Sequence, residues 1–379
     1  MKVLSISTDR KLFEDGSAVL QRSLEYSAKM QELHIVVFSL KSHDLEFKKI
    51  DNLHIHSTNS KSRLFYFFDA LRISRKIIIR EGFSPNSTVI TCQDPFETGL
   101  VGYFLKKKFH LPLQLQIHTD FLSSYFTNNV LNKIRVFIAS FVIPKADGLR
   151  VVSSVILDSL RSKFPNLNLH VDILPIFVDV ERIFRFEKQF YTPEKIPNSV
   201  FVASRFTKEK RIDVAIEAFK KVITKDNNAQ MTIIGDGPER KNIERKIREL
   251  NLGKSVNIEV WNNDVPENLY KKAEVFLLTS EFEGYGMTLI EAGAVGCSIV
   301  TTKVGIAQTG LFRDGFNAHV CPVGDVECLS EKLIDLITNE QKRKLFKERM
   351  QDSIRGTAIS REEYVDRYVD LLKKLIKNV

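Results

Sequence analysis

Val275-Phe276-Leu277-Leu278-Thr279-Ser280-Glu281-Phe282-Glu283-Gly284-Tyr285-Gly286-Met287-Thr288-Leu289-Ile290-Glu291-Ala292 reads as one complete unit of an α/β protein. The apolar run 275–278 suits a strand buried on both faces of a parallel sheet. Gly284 and Gly286 interrupt it, and from Met287 the apolar residues follow a helix that Gly296 stops. A glycine-bearing loop between a strand's carboxyl end and a helix is where open α/β sheets bind ligands, because the first helical amides are free to meet an anion. Glu283 falls in that loop and Glu291 on the helix, so the two carboxylates can accept hydrogen bonds from different hydroxyls of one extended ligand. Each piece also has a plain reading, a solvated helix carboxylate or a glycine turn. Strand, glycines, paired glutamates and helix stop in one stretch favour a site.

Outward from this unit the pattern repeats. Strand candidates Val200–Ala203, Met231–Ile234, Val256–Val260, Val275–Leu278, Ser298–Thr301 and Ala318–Cys321 alternate with amphipathic stretches. Upstream, an earlier cycle runs through Val3–Ser7, His34–Phe38, Thr88–Thr91, Leu113–His118, Gly148–Val152 and Val171–Leu174. The fold expected is therefore α/β, with two Rossmann-like, doubly wound parallel sheets. The charged, proline-bearing segment Asp179–Asn198 is expected to be an exposed linker. The domains expected are 1–185, 186–361 and a C-terminal helix over 362–379 packing back towards the first domain.

A chain of 379 residues exceeds one ordinary core, and 43% hydrophobic with 27% charged residues excludes disordered and fibrous classes. No apolar run reaches the roughly 18 residues that span a bilayer, and MKVLSISTDR enters a strand pattern directly, so a cytoplasmic protein is expected. Cys92, Cys297, Cys321 and Cys328 match no zinc or redox spacing and are expected to be thiols that fill the core. Residues 1–185 hold 25 basic against 18 acidic residues, the remainder 31 against 29. The excess suits an anionic surface facing the first half, or an idle basic surface. Two basic, aromatic stretches, Lys61–Arg80 and Leu131–Ile138, could form helices lying on a membrane surface, but fit better as helices that bury an apolar face against the sheet.

Arg205 and Lys210 follow the strand Val200–Ala203. There a guanidinium and an ammonium can neutralise a departing diphosphate. Alone, a Lys/Arg run is usually solvated surface. The stretch Glu283 to Glu291 resembles the Glu-x7-Glu signature of the retaining GT-B glycosyltransferases of group 1, the GT4 family. Ser204-Arg205-Phe206 through Lys210 is similar to that family's Gly-Arg-Leu-x3-Lys element, with Ser204 and Phe206 in place of glycine and leucine. The resemblance implies that Glu283 contacts the donor sugar and Glu291 the ribose, while Gly284, Tyr285, Gly286, Met287 and Thr288 offer amides to donor oxygens. It further implies a nucleotide contact near Gly235 in Gly235-Asp236-Gly237-Pro238, and a base site at Trp261-Asn262-Asn263-Asp264.

In the first half the resemblance implies a donor-side loop at Asp15-Gly16-Ser17 and a strand-end His118 beside the donor sugar. Asp94 and Asp120 are candidates for the acceptor cleft between the domains. The catalytic set expected is Glu283, Arg205, Lys210 and His118. Neither a cofactor nor a metal is expected, since no Asp-x-Asp pair or His/Cys cluster has ligand spacing, and no Gly-x-Gly-x-x-Gly follows the first strand. The function implied is retaining transfer of a hexose-type sugar from a nucleoside diphosphate to a glycan or lipid-linked hydroxyl, for surface polysaccharide or glycolipid, with no nucleic acid partner. A nucleotide-sugar epimerase and a non-catalytic sugar- or anion-binding protein are the alternatives.

Overall fold

The computed structural model describes residues 1–167, 169–189, 196–260, 270 and 273–377. They form two compact units: Met1–Pro175 with Arg361–Val379, and Ile176–Ser360. The units part at Pro175 and Ile176, upstream of the expected 185/186.

Unit 1 is built on β1 (Lys2–Ser7), β2 (Glu32–Val37), β3 (Lys48–Ile50), β4 (Leu53–Ser57), β5 (Thr88–Cys92), β6 (Leu113–Ile117), β7 (Gly148–Val151) and β8 (His170–Ile173), in the order β3-β4-β2-β1-β5-β6-β7-β8. Every pairing is parallel except β3 with β4. The central strands are buried on both faces; β1 and β5 are mainly apolar, whereas β6 also buries Gln114 and Gln116. The hairpin β3–β4 was not among the expected strands. Its sequence, with His54 and His56 between Leu53, Ile55 and Ser57, carries the weaker alternating pattern of an edge. Helices α1 (Ala18–Ala28), α2 (Tyr66–Arg80), α3 (Glu97–Phe109), α4 (Val130–Val142) and α5 (Ser154–Lys163) link the strands. Ser17, Asn129 and Ser153 cap α1, α4 and α5 by accepting backbone amides.

Unit 2 opens with α6 (Val180–Gln189). The expected linker is thus helical over its first part: Val180 and Ile183 are buried, and α6 packs on a later helix of the same unit. Residues 190–195 lie outside the described set. The sheet follows as β9 (Ser199–Ala203), β10 (Gln230–Ile234), β11 (Val256–Glu259), β12 (Val275–Leu278), β13 (Ser298–Thr302) and β14 (His319–Cys321), ordered β11-β10-β9-β12-β13-β14 and parallel throughout. Its helices are α7 (Ile212–Lys225), α8 (Arg240–Glu249), α9 (Met287–Val295), α10 (Val326–Thr338) and α11 (Glu340–Arg355). The partner of α6 is α9. Cys92 and Cys297 are buried thiols, but Cys321 and Cys328 form a disulfide, contrary to the reading of all four as thiols. The end of β14 and the first turn of α10 bring their Cα atoms to 5.9 Å, a separation that a disulfide spans readily.

The last helix, α12 (Arg361–Lys377), belongs with unit 1. Gly148 of β7 lets it approach closely, since a Cβ there would lie 2.8 Å from Leu375. It also closes a polar layer on the sheet. Buried Arg150 donates to Gln116 Oε1 (2.9 Å), the Tyr364 hydroxyl (2.6 Å) and the carbonyls of Leu174 and Pro175. Gln116 in turn donates to Thr91 and Tyr368. Among the described residues no carboxylate pairs with this guanidinium; neutral acceptors and the faces of Tyr364 and Tyr368 hold it.

Candidate functional site

In unit 2, β9 pairs with β10 on one side and β12 on the other, so the connections leaving the carboxyl ends of β9 and β12 run in opposite directions. That switch point opens a crevice in any doubly wound sheet. The loops that rise there carry Arg205 and Lys210 after β9 and Glu283 to Gly286 after β12. Lys210 Nζ donates to Glu283 Oε1 at 2.7 Å, with both side chains largely buried, and Ser280 Oγ donates to the same oxygen at 2.6 Å. The backbone beneath is tied as firmly. Thr279 Oγ1 donates to the carbonyls of Lys210 and Arg211, the Glu281 amide donates to the Glu209 carbonyl, and Arg211 Nη1 meets Glu281 Oε1 at 2.8 Å. From β13, Thr302 Oγ1 donates to the Ser280 carbonyl, and the Ile306 amide donates to the Tyr285 carbonyl. A Cβ on Gly305 would stand 2.8 Å from Glu283 Cβ, so only glycine fits behind that carboxylate.

Gly286 caps α9 with φ +100°, a left-handed conformation that glycine adopts without strain. The amides of Met287 and Thr288 open that helix without intrahelical acceptors, beside Gly284 and Tyr285. Glu291, one helical stretch further on, accepts from the buried Tyr270 hydroxyl at 3.1 Å. Glu283 and Glu291 therefore answer to different neighbours. Gly235 and Gly237 support the Arg205 loop: the Ser204 and Phe206 amides donate to the carbonyls of Ile234 and Asp236, and a Cβ on Gly235 would sit 1.9 Å from the Ser204 carbonyl oxygen. Arg205 itself is exposed and pairs with no carboxylate among the described residues. Trp261 to Asp264 lie outside the described residues.

In unit 1, Gly16, Asp94 and His118 follow β1, β5 and β6, three neighbouring strands. Gln93 Oε1 ties two of these ends by accepting from Ser7 Oγ and the Thr8 amide. Burial pushes the Asp94 carboxyl up to about 6, although its Oδ1 accepts the Phe96 amide. Burial first, then the positive charges of Arg150 and Arg22, press His118 down to about 3, so its imidazole is neutral at physiological pH. Asp120 spends its oxygens on the Leu122 amide and Ser159 Oγ, which fixes its own loop to α5. Gly16 precedes the Ser17 cap at φ +76°.

Ser280, Thr279, Thr302, Gly305 and the Arg211–Glu281 pair were absent from the expected site. The adjacency of Gly305 to Glu283 depends on sheet order. A glycine following the strand Ser298–Thr301 was the one signal in the sequence for it. Among the described residues no group of three or more His, Cys, Asp or Glu side chains is placed to hold a metal ion.

Residues 184–353 match the model of the family described as glycosyl transferases group 1. Unit 2 is a group 1 glycosyltransferase domain. The chain is 28% identical over 176 residues to the poly(glycerol-phosphate) alpha-glucosyltransferase of Bacillus subtilis, covering 46% of this chain and 26% of that protein. It is 26% identical over 240 residues to the N-acetyl-alpha-D-glucosaminyl L-malate synthase of Bacillus anthracis, covering 62% of each. The matches thus span about a quarter and just under two thirds of these relatives' lengths. Among solved structures, HepE of Anabaena in complex with UDP aligns with a TM-score of 0.72 at 16% identity, over 99% of this chain and all of that one. That likeness extends the GT-B fold class beyond the group 1 domain to the whole chain.

Proposed function

We propose that the chain is a retaining glycosyltransferase that moves a hexose-type sugar from a nucleoside diphosphate to a hydroxyl of a glycan or lipid-linked acceptor in cell-surface glycan synthesis. The observation that carries this reading is the Lys210–Glu283 pair at the switch point, beside the exposed Arg205 and the amides that open α9. Arg205 and Lys210 would take the diphosphate, and Glu283, released from Lys210, would accept hydrogen bonds from sugar hydroxyls. Glu291, steadied by Tyr270, would hold the ribose. The bond from C1 to the diphosphate breaks while the acceptor oxygen bonds C1 on the same face. The acceptor's proton passes to the departing phosphate oxygen, so no carboxylate nucleophile is needed. Fixed cations and amides stabilise the developing negative charge. Neutral His118 would donate or accept a hydrogen bond at the sugar.

A UDP donor is supported by the UDP complex of HepE, and a polymer acceptor by the name of the Bacillus subtilis relative, which acts on poly(glycerol-phosphate). A lipid-linked acceptor would bring the enzyme to a membrane surface, where it would work as a peripheral protein. No helix of the described residues is long and apolar enough to cross one. The test is a thermal-shift screen of the purified chain with UDP, GDP and ADP sugars, followed by product analysis with the stabilising donor. One donor class should raise the melting temperature and yield free nucleoside diphosphate together with a new glycoside of unchanged anomeric configuration. Epimerised donor with no glycoside, or full turnover by Glu283→Ala, would defeat the reading.

A further inference from the structure

Helix α4 faces the wrong way for a helix in water. Its inner side holds Ala139, Val142 and Arg135, whose guanidinium meets Glu97 Oε1 at 3.0 Å. Its outer side carries Val130, Ile134, Phe137 and Phe141 at helical spacing, with Val130 73%, Ile134 51% and Phe137 76% exposed. An outward apolar stripe reverses the usual amphipathic pattern. The stripe continues onto the neighbouring helices through edge-on rings: Phe141 to Tyr103 (5.2 Å), Tyr103 to Phe104 (5.3 Å) and Phe104 to Phe67 (5.6 Å). It ends at exposed Leu64, Phe65 and Phe68, where α2 begins. One surface therefore crosses α4, α3 and α2, and contiguous exposed apolar area of this kind marks an interaction site.

The surrounding charge selects the partner. Lys107, Lys108 and Lys133 are exposed and pair with no described carboxylate, and the Lys145 ammonium lies 3.7 Å over the Phe141 ring. The carboxylates on these helices, Asp69 and Glu97, are bound to Arg72 and Arg135. A second copy meeting this face about a two-fold axis would bring the same unpaired lysines together. An anionic bilayer accepts both features, since rings and branched side chains enter the headgroup boundary while lysines meet phosphates.

We infer that the α2–α3–α4 face of unit 1 docks on an anionic lipid surface, with Ile134, Phe137 and Phe141 inserted. This deepens the reading of a lipid-linked acceptor and rests on it for its purpose, but vesicle binding is read without donor or acceptor.

The test is sedimentation of the full chain with vesicles of phosphatidylglycerol and phosphatidylcholine, against phosphatidylcholine alone. The chain should pellet with the mixed vesicles only, and less so as salt rises. Ile134→Ser combined with Phe137→Ser should reduce partition about tenfold or more, from lost apolar burial. Both positions are exposed, so the far-UV melting temperature should hold. Lys107→Glu with Lys108→Glu should weaken binding while leaving the apolar stripe intact. Absence of wild-type binding, or unchanged binding by the double serine variant, would overturn the inference. So would a concentration-dependent dimer in sedimentation velocity that the serine variant dissolves. Glu283→Ala should bind vesicles like wild type, so a failed transferase reading and a failed membrane reading give different results.

Discussion

In unit 2 the strand ends carry full charges held in pairs, Lys210 with Glu283 and Arg211 with Glu281. In unit 1 burial works against charge at the corresponding place: it holds His118 neutral and lifts the Asp94 carboxyl to about 6, still mainly ionised at neutral pH. The difference follows what each rim would meet. A diphosphate needs fixed cations, and a carboxylate can be exchanged from lysine to sugar when it arrives. A hydroxyl is served by groups that hydrogen-bond without repelling or trapping an ion. On the proposed reading the same architecture would serve two chemistries, set by which side chains its loops desolvate.

The sharpest way to break this contrast is at the pair itself. Glu283→Ala and Lys210→Ala should each lower kcat/KM by about 10³-fold, on the order of 4 kcal/mol. The double variant should lose much less than the sum, because either single change already breaks the pair. Steady-state release of nucleoside diphosphate measures this, and additive losses would show that the two residues act independently.

Next is the turn that carries Arg205. Gly235→Ala places a methyl against the Ser204 carbonyl and should destabilise unit 2 by about 3 kcal/mol, read as a lowered urea midpoint. Gly16→Ala in unit 1 meets nothing within 4 Å and should cost about 1 kcal/mol, from its positive φ alone.

Acid separates the units by a different route. His34 is fully buried and stacks on His54 at 4.4 Å and on His56 at 5.5 Å. Burial, then the neighbouring His54, lowers its pKa to about 4, with Glu32 and Glu81 opposing, and burial lowers His56 to about 4 as well. A depressed folded pKa means that these neutral rings contribute stability above about 6.5, and that it is lost as pH falls through about 4. Unit 1 should therefore weaken on the order of 2–3 kcal/mol between pH 6.5 and pH 4. His34→Gln should flatten that slope in pH-dependent denaturant melts.

The smaller of the two pH effects is at Asp94. Its folded pKa is raised above the unfolded value near 4, so its contribution is complete below that value and lost as pH rises through about 6. Asp94→Asn keeps an oxygen for the Phe96 amide. It should be more stable than wild type by about 1–2 kcal/mol at pH 8, with the gap closing towards pH 4.

What was legible in the sequence was whatever local pattern encodes. All twelve expected strands recur with ends within two residues of the expected ones, because most are parallel strands dominated by apolar residues. The β3–β4 hairpin escaped because His54 and His56 dilute the pattern of an edge. Glu283 and Lys210 were legible as residue types, but their pairing was not, since it depends on β9 and β12 becoming neighbours. Ser280, Thr302 and Gly305 were invisible for the same reason. The Cys321–Cys328 bridge was missed because its spacing matches no redox motif, and closure follows only from the turn between β14 and α10. The outward apolar stripe of α4 was read as a basic aromatic stretch. Which side of a helix faces inward is decided by packing, here by the burial of Ala139 and Val142.

Because α12 completes unit 1 from beyond unit 2, the order of synthesis differs from the order of space. During translation all of unit 2 emerges before residues 361–377, the segment that supplies Tyr364 and Tyr368 to buried Arg150. Until then the guanidinium lacks its hydroxyl partner and the Leu375 side of Gly148 is uncovered. The nascent first unit must therefore wait, open on that side, while the second folds. A fragment comprising residues 1–175 alone would carry all eight strand sequences but lack the helix that seals this layer.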